Sequence, residues 1–298
     1  MPELQVALSS GSDKGARAFA SIIPTSPVLR LGGTEVRDTF RLMFALPWAI
    51  ASWVYQCVCG ALVAHDDIRG HHCLTCDGAG EWLRSHNVLR DIWIRIFREA
   101  GLTASGDTRQ WGCLSTPVAT KGQADILVPE WIDGRLLLCD IRRTHPFQQD
   151  PAAASLAAAS PGGWVCRVEK NKLKRLEQLA DEAVALGLPA EIRHSVYLAP
   201  LIVDSYGCWG PAAHTLLRGC ASRIPAARRS ATVNRWRAML NVGAFRETSR
   251  LLRTRAGASL GPGPLGPAPP PSYWGDDLSS LDWRGHHPLL EEEEEDAA

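Results

Sequence analysis

Apolar side chains along the chain alternate between two spacings, which predicts helices on either side of short strands. Segment 84–101 carries them at three- and four-residue intervals, with arginine and aspartate opposite, and predicts an amphipathic helix closed by Gly101. Segment 165–187 repeats this spacing and predicts a second helix. Between the two helices, the short apolar runs 123–128 and 135–142 are typical of strands joined by the turn-like residues 131–134.

Two further runs complete the predicted order of elements. A strand is expected near 102–108, and the β-rich run 191–204 contains Pro200, which predicts a sheet edge or a bend. The order is then helix, three strands, helix, strand. This order predicts an α/β fold with helices packed on a small mixed sheet.

Two aspartates in the predicted hairpin are the strongest sign of chemistry. Because alternate side chains share one face of a strand, a hairpin in register would bring Asp125 and Asp140 onto one surface. Neighbouring carboxylates repel each other and raise each other's pKa unless a cation lies between them. Mg²⁺ prefers oxygen ligands, so the pair predicts metal-assisted attack of water on a phosphodiester. The alternative is that both aspartates are strand-end or turn residues without a metal.

One lysine stands out in the second predicted helix. Lys172 is one turn from both Val168 and Leu176 in the row that should face the sheet, whereas Lys170 and Lys174 fall towards solvent. The functional interpretation is a cation held near the scissile phosphate or the attacking water. The alternative is a lysine that snorkels at the margin of an apolar stripe.

A dense group of cysteines and histidines precedes the first helix. Thiolate and imidazole groups within twenty residues suit a tetrahedral structural zinc: Cys57, Cys59, His71, His72, Cys73 and Cys76. The spacing alone permits either His72 or Cys73 as a ligand, and the alternative is that the cysteines are buried as small hydrophobic residues. Such a zinc would stabilise a loop too small to bury its own core and would present Arg69, Arg84 and His86 to nucleic acid.

Composition changes this interpretation in only a few respects. At 298 residues and 45% hydrophobic, the chain can bury one compact core beside a small zinc module. Its formal net charge is zero, but the charges are unevenly distributed: the stretch 218–255 is rich in arginine and the end 291–296 is acidic. The arginine-rich stretch would bind phosphates in a salt-sensitive way or form a solvated helix face. The proline-rich run 261–272 predicts a linker, with disorder expected beyond it.

The cellular compartment is inferred from the cysteines and the N-terminus. Cysteines scattered singly through apolar runs favour reduced thiols, and the start of the chain lacks the basic and apolar regions of a signal peptide. The uncharged stretch 43–64 is interrupted by Pro47, Gln56 and Gly60, which favours a buried helix leading into the zinc loop over a membrane span. We therefore expect a nuclear or cytoplasmic protein without membrane contact.

These motifs together resemble a known family. In chain order they are Pro24-Thr-Ser-Pro27, the cysteine and histidine group, Arg84-Ser-His86-Asn87, Asp125, Asp140-Ile-Arg-Arg-Thr-His-Pro and the helix bearing Lys172. From about Ser9 to about Ser222 they resemble the PD-(D/E)xK restriction-like endonucleases at the C-terminal end of early-branching non-LTR retrotransposon polyproteins, of the algal type. The chain departs from that pattern at Gln123-Ala124, where the family has a basic residue and proline, and at Leu176, where it often has tyrosine.

The resemblance implies a restriction-endonuclease-like core, a set of site residues and a function. The implied zinc ligands are Cys57, Cys59, His72 and Cys76; the implied magnesium ligands are Asp125 and Asp140; the catalytic cation would be Lys172 or Arg142; and the nucleic-acid-binding residues would be Arg84, His86 and Arg90. The implied activity is nicking of DNA so that its 3′ end primes reverse transcription, with DNA, or else RNA, as the partner. A reverse transcriptase domain would precede this region in an intact element.

Two alternatives remain open at the level of sequence. A catalytically inactive retroelement remnant, or a co-opted zinc-stabilised nucleic-acid-binding module, is favoured by Gln123-Ala124 and by the neutral net charge. An unrelated zinc-stabilised interaction protein is the other, and it predicts no acidic cleft.

The predicted organisation has five segments. They are an N-terminal helical segment (1–56), a zinc-binding module (57–80), a restriction-endonuclease-like domain (81–222), an arginine-rich helical extension (223–258), and a disordered proline-rich linker with an acidic tail (259–298).

Overall fold

A computed structural model describes most of the chain up to residue 257. The described residues are 2–12, 16–20, 26–46, 55–57, 59–63, 70–76, 81–106, 124–147, 151–185 and 192–257. All of them belong to one compact unit, Met1–Ser259. Arg69, Gln123 and the predicted linker and tail, 259–298, lie outside the described residues.

Helices and strands alternate through this unit. The helices of the described part are α1 (Pro2–Gly11), α2 (Gly33–Met43), α3 (His71–Thr75), α4 (Glu81–Glu99), α5 (Pro151–Ala159), α6 (Gly163–Ala185), α7 (Ile192–Ser195), α8 (Pro211–Ser222) and α9 (Ala226–Gly257). The strands are β1 (Tyr55–Gln56), β2 (Leu62–Val63), β3 (Ile126–Val128), β4 (Leu136–Thr144) and β5 (Val196–Asp204). Helices α4 and α6 therefore lie where the apolar spacing predicts them.

A mixed sheet of strands β3, β4 and β5 forms the centre, in that spatial order. Strand β3 is antiparallel to β4, and β4 is parallel to β5 along its whole length, from Leu136 opposite Val196 to Thr144 opposite Asp204. Pro200 is accommodated in β5, which is an edge strand of this sheet. The prediction of an α/β fold with helices around a small mixed sheet is confirmed.

The strand expected near 102–108 is shorter in the structure than predicted. Ser105 forms a single antiparallel bridge with Leu127, and residues from 107 to 123 lie outside the described part. This bridge adds one point of pairing at the outer side of β3.

The turn between β3 and β4 sets the register of the hairpin. Asp133 and Gly134 have φ angles of 54° and 70°, and Arg135 N donates to Ile132 O at 3.0 Å. Positive φ at both central residues is the requirement of a type I′ turn, which Asp-Gly favours because glycine has no Cβ to clash. With this turn, Ile126 pairs with Cys139, and the next pair outward is Asp125 and Asp140.

Helices cover both faces of β4, because successive side chains of a strand point to opposite sides. On one face, Trp164 Nε1 of α6 donates to Thr144 Oγ1 at 3.0 Å. On the other face, Arg143 reaches Ser85 of α4 at 2.7 Å and Thr248 of α9. Asp140 shares the α6 face with Thr144, so this strand directs its aspartate and its buried arginine to opposite layers.

Helix α9 is a core element and packs against α2, α3 and α4. Trp236 and Phe245 are among its fully buried side chains. Several of its arginines pair with acids of the same unit: Arg235 with Glu99 (2.7 Å), Arg253 with Asp38 (2.7 Å), Arg246 with Glu35 (3.3 Å) and Arg250 with Glu247 (2.7 Å). Four arginines of the arginine-rich stretch thus form ion pairs within the protein.

The uncharged stretch 43–64 differs from the buried helix that we expected. Its described part beyond α2 contains strands β1 and β2, paired antiparallel through Tyr55 and Val63, with Gly60 in the turn at a φ of 88°. Residues 47–54 lie outside the described part. Wherever the structure describes a helix, that helix is too short or too polar to cross a membrane.

Candidate functional site

Two backbone elements bring four cysteine and histidine side chains together. Cys57 and Cys59 lie at the turn between β1 and β2, while His72 lies in α3 and Cys76 directly after it. One ligand atom from each residue lies within 4.8 Å of all the others. Within the set, Cys59 Sγ lies 3.4 Å from His72 Nε2 and Cys57 Sγ lies 3.7 Å from Cys76 Sγ. We call this set the Cys/His cluster.

The Cys/His cluster could bind a metal ion such as zinc. Three thiol groups and one imidazole match the donors and the number of ligands of a structural zinc site. His72 belongs to the cluster, whereas Cys73, the alternative that spacing allowed, is a buried core residue outside it. The ligand choice left open by the sequence is thereby narrowed to His72.

The two cysteines of the hairpin differ in acidity. Burial raises the pKa of Cys57 to about 11, with smaller contributions from its neighbours. A backbone hydrogen bond from Ala61 lowers the pKa of the exposed Cys59 to about 6, assisted by Cys76 and His72. Cys59 is therefore mostly ionised to the thiolate at neutral pH, while Cys57 would have to release a proton in order to bind a metal.

The paired aspartates occupy a second region, at the open end of the β3–β4 hairpin. Asp125 N donates to Cys139 O at 2.8 Å, so the ladder continues one residue beyond β3. Asp125 and Asp140 are then directly opposite each other and share a face. Burial raises the pKa of Asp140; the hydrogen bond and charge of Lys172 oppose this rise, and the charge of Asp125 adds to it.

Side chains from two helices meet these carboxylates. Lys172 Nζ of α6 lies 2.8 Å from Asp140 Oδ2, and His86 Nε2 of α4 lies 3.0 Å from Asp125 Oδ1. The second oxygen of Asp125 accepts a hydrogen bond of 2.6 Å from Ile141 N. We call Asp125, Asp140, Lys172 and His86 the carboxylate site.

The structure distinguishes the candidate cations by whether they contact the acids. Lys172 is partly buried and contacts Asp140, while Lys170 and Lys174 are exposed, as the helical spacing predicts. Arg142 lies two residues beyond Asp140 on β4 with an exposed side chain. Of the two candidate cations, Lys172 is thus the one in contact with the carboxylates.

The remaining predicted nucleic-acid contacts lie along α4. Arg84 is exposed near the start of this helix, two residues before His86. Arg90 makes hydrogen bonds of 3.1 and 3.0 Å to Asp91 Oδ1. Of these residues, His86 is the one in contact with Asp125.

Sequence reasoning assigned no linking role to the residues that connect β4 with the surroundings of the Cys/His cluster. Arg143 lies 5.6 Å from the ring of Trp82, and Trp82 Nε1 donates to Cys76 O at 2.5 Å. His145 Nε2 lies 2.8 Å from Nδ1 of His71, the neighbour of His72 in the Cys/His cluster. The available signal was Arg143 itself, a charged residue that shares one face of β4 with the apolar residues Cys139 and Ile141.

The chemistry of the two regions is distinct. The Cys/His cluster offers sulfur and imidazole donors for a soft or borderline metal ion, while Asp125 and Asp140 offer oxygen donors beside a lysine. The sequence matches no protein-family model, and no curated protein matches it.

Proposed function

We propose that this chain is a metal-dependent DNA endonuclease of the restriction-like PD-(D/E)xK type. In the setting of a non-LTR retrotransposon it nicks DNA, and the freed 3′ end primes reverse transcription. The observation that carries the proposal is Lys172 Nζ at 2.8 Å from Asp140 Oδ2, with Asp125 directly opposite on the adjacent strand. Two acids and one lysine are the groups that this chemistry needs, and the order α4, β3, β4, α6, β5 supports a restriction-endonuclease-like core.

The carboxylate site fits Mg²⁺ by its donor chemistry. Asp125 and Asp140 supply carboxylate oxygens, which hard divalent cations prefer, and substrate phosphates would supply further ligands. The raised pKa of Asp140 reflects burial and the neighbouring charge of Asp125, both of which a bound cation offsets. When bound, Mg²⁺ supplies a Lewis acid for a phosphate oxygen and lowers the pKa of a coordinated water.

The protein's own groups position the reaction. Lys172 can donate a hydrogen bond to the attacking water or to a phosphate oxygen while it remains beside Asp140. His86 and Ile141 N hold one oxygen each of Asp125 and so orient this carboxylate. Arg142 is exposed and can bind phosphate, but a guanidinium does not act as a base at working pH.

DNA is the proposed partner, with phosphates lying along the exposed side of α4 and the carboxylate site. His86 and Arg90 are one turn apart on the same side of α4, so their side chains can contact a backbone that enters the site, whereas Arg84 projects from another side of this helix. RNA remains the alternative polymer. A zinc ion in the Cys/His cluster would hold the adjoining loop in place.

A nucleic-acid-binding module without cleavage is the second candidate. The observation that favours it is that the carboxylate oxygens already have partners in the protein, namely Lys172, His86 and Ile141 N. Such pairing can stabilise a fold with no metal bound. Under this alternative, DNA affinity survives and hydrolysis does not.

Nicking of supercoiled plasmid with Mg²⁺ tests the proposal. We expect wild-type protein to nick the plasmid and Asp125→Asn and Asp140→Asn to be inactive, while all three bind DNA in a fluorescence anisotropy assay. Glu177→Gln is the control, since this exposed acid on α6 lies outside the carboxylate site. Binding without cleavage by the wild type would favour the second candidate, and cleavage by both variants would contradict the assignment.

A further inference from the structure

A fully buried arginine connects the end of α9 to the Cys/His cluster. Arg255 has an exposure of 0% and lies in the last turn of α9. Its Nη1 donates to Cys73 O at 2.8 Å and also to Cys76 O. Both carbonyls belong to the short segment that follows the ligand His72, and Cys76 is itself a ligand. The guanidinium thus holds the backbone that carries two of the four metal-binding side chains.

These carbonyls require donors because α3 is only five residues long. The last carbonyls of a helix have no partner within the helix and are satisfied by other groups. Arg255 and Trp82 Nε1 supply those donors to Cys76 O. Their geometry fixes the direction of the chain at Cys76.

The same turn of α9 also packs closely against the start of α3. Leu252, three residues before Arg255, meets Gly70, where an added Cβ would lie 2.5 Å from Leu252 Cδ2. Gly70 has a φ of 74°, a left-handed conformation that glycine adopts without strain. Because residues three apart share a helix face, Leu252 and Arg255 form one surface that covers α3.

Charge adds a reason for a link to metal binding. A buried guanidinium is costly unless hydrogen bonds and nearby negative charge compensate it. Arg255 lies close enough to Arg143 and Arg250 to interact unfavourably with both. Three thiolates, a neutral imidazole and Zn²⁺ sum to one negative charge, so a loaded cluster favours the buried cation beside it.

We propose that Arg255 is a positioning residue of the Cys/His cluster, which couples metal binding to the docking of the last turn of α9. By holding the carbonyls of Cys73 and Cys76, Arg255 raises the affinity of the cluster for metal. Because linkage is reciprocal, the bound metal orders the end of α9 in return. The proposal rests on metal binding by Cys57, Cys59, His72 and Cys76 and is independent of DNA cleavage.

Zinc affinity measured by competition with a chromophoric chelator tests the coupling in the full chain. We expect Arg255→Met to lower zinc affinity by about 10- to 100-fold, the usual effect of removing a group that orients metal ligands, and Arg255→Lys to fall between this variant and wild type. Arg253→Met is the matched control, since Arg253 lies on the same helix but pairs with Asp38. Unchanged affinity in Arg255→Met would overturn the proposal, because a purely structural arginine stabilises the metal-free and loaded forms equally.

Hydrogen exchange of the wild type with and without zinc decides the question where Arg255→Met fails to fold. Zinc should slow exchange of amides 249–257 more than that of amides 226–240, since Arg235 anchors that first half to Glu99. Equal effects on both halves, or none on either, would refute the coupling. Neither experiment contains DNA, so a failure of the endonuclease proposal cannot be confused with a failure of this one.

Discussion

The Cys/His cluster and the carboxylate site differ in what faces their polar side chains. In the Cys/His cluster, four potential ligand atoms face one another within 4.8 Å. In the carboxylate site, each acid faces a donor from the protein, with Lys172 beside Asp140 and His86 beside Asp125. Under the proposed function, a metal would have a structural task in the first region and a chemical task in the second.

This difference leads to opposite expectations for stability and activity. Thiols that face one another in a small loop would contribute to folding chiefly through a metal bound between them. Carboxylates with lysine and histidine partners do not depend on a metal to the same degree, so under the proposed function Mg²⁺ would bind and leave with the substrate. Removal of zinc should thus unfold the loop at the Cys/His cluster. Removal of Mg²⁺ should abolish the proposed activity of the carboxylate site without unfolding it.

The largest expected effect is the loss of the metal from the Cys/His cluster. Cys76→Ser or chelation should lower the melting temperature by about 10 °C or more, because structural zinc contributes several kcal/mol to folding. Zinc content by mass spectrometry and thermal melts check this result. Cys166→Ser on α6 is the matched control, since Cys166 lies outside the cluster. A metal-free protein that melts like the loaded one would remove the contrast between the two regions.

The next effect separates activity from stability at the carboxylate site. Asp140→Asn should reduce Mg²⁺-dependent nicking by about 100-fold or more, since a metal ligand is lost. The melting temperature should fall far less than in Cys76→Ser, because the substitution removes a charge that burial already disfavours. Plasmid assays and melts on one preparation measure both. A large loss of stability with unchanged nicking would reverse the roles of the two regions.

A comparison of two cations sharpens the assignment within the carboxylate site. Lys172→Gln should slow nicking about 10-fold more than Arg142→Gln, because Lys172 touches Asp140 and Arg142 is exposed. Initial rates at saturating Mg²⁺ provide the measurement. Equal losses would transfer the catalytic role to Arg142 or to both residues.

Thiol reactivity provides a smaller effect in the Cys/His cluster. In metal-free protein at neutral pH, iodoacetamide should modify Cys59, with its pKa of about 6, well before Cys57, with its pKa of about 11. The rate at Cys59 should rise through pH 6, where half of the thiol is ionised, and level off above about pH 7. Added zinc should protect both residues, as peptide mass spectrometry can show. Rapid modification of Cys59 in the loaded protein would argue against its role as a ligand.

The smallest effect concerns Glu169, one turn before Lys172 on α6. Burial raises its pKa from 4.5 to about 7, although Ala212 N donates to its carboxylate. The folded protein thus binds this proton more tightly than the unfolded chain, so the associated stability is present below pH 4.5 and lost as pH rises through 7. The free energy of unfolding of Glu169→Gln should equal that of the wild type at low pH. Above neutrality it should exceed the wild-type value by about 1 kcal/mol, after allowance for solvent screening. Urea unfolding of both proteins at low pH and above neutrality measures these free energies. A difference between the two proteins that does not change with pH would contradict the prediction.

Local patterns in the sequence determined the elements that frame the carboxylate site. The spacing of apolar residues in α4 and α6 and the Asp133-Gly134 turn are short-range signals, because helix periodicity and turn conformation depend on neighbouring residues. They predicted that Asp125 and Asp140 share a surface if the hairpin is in register, and they singled out Lys172 as the lysine in the row that should face the sheet. They also limited the metal ligands to a few cysteines and histidines.

Only the tertiary structure decided which of these groups meet. The choice of His72 over Cys73, the contact of Lys172 with Asp140, and the bonds from Arg255 to the carbonyls of Cys73 and Cys76 depend on side chains far apart in the chain. The arginines of α9 show the same limit, since their density suggests a phosphate-binding surface while Glu99 and Asp38 bind two of them. Periodicity encodes which face of an element is buried, but the partner on the other side is set by how the elements pack together.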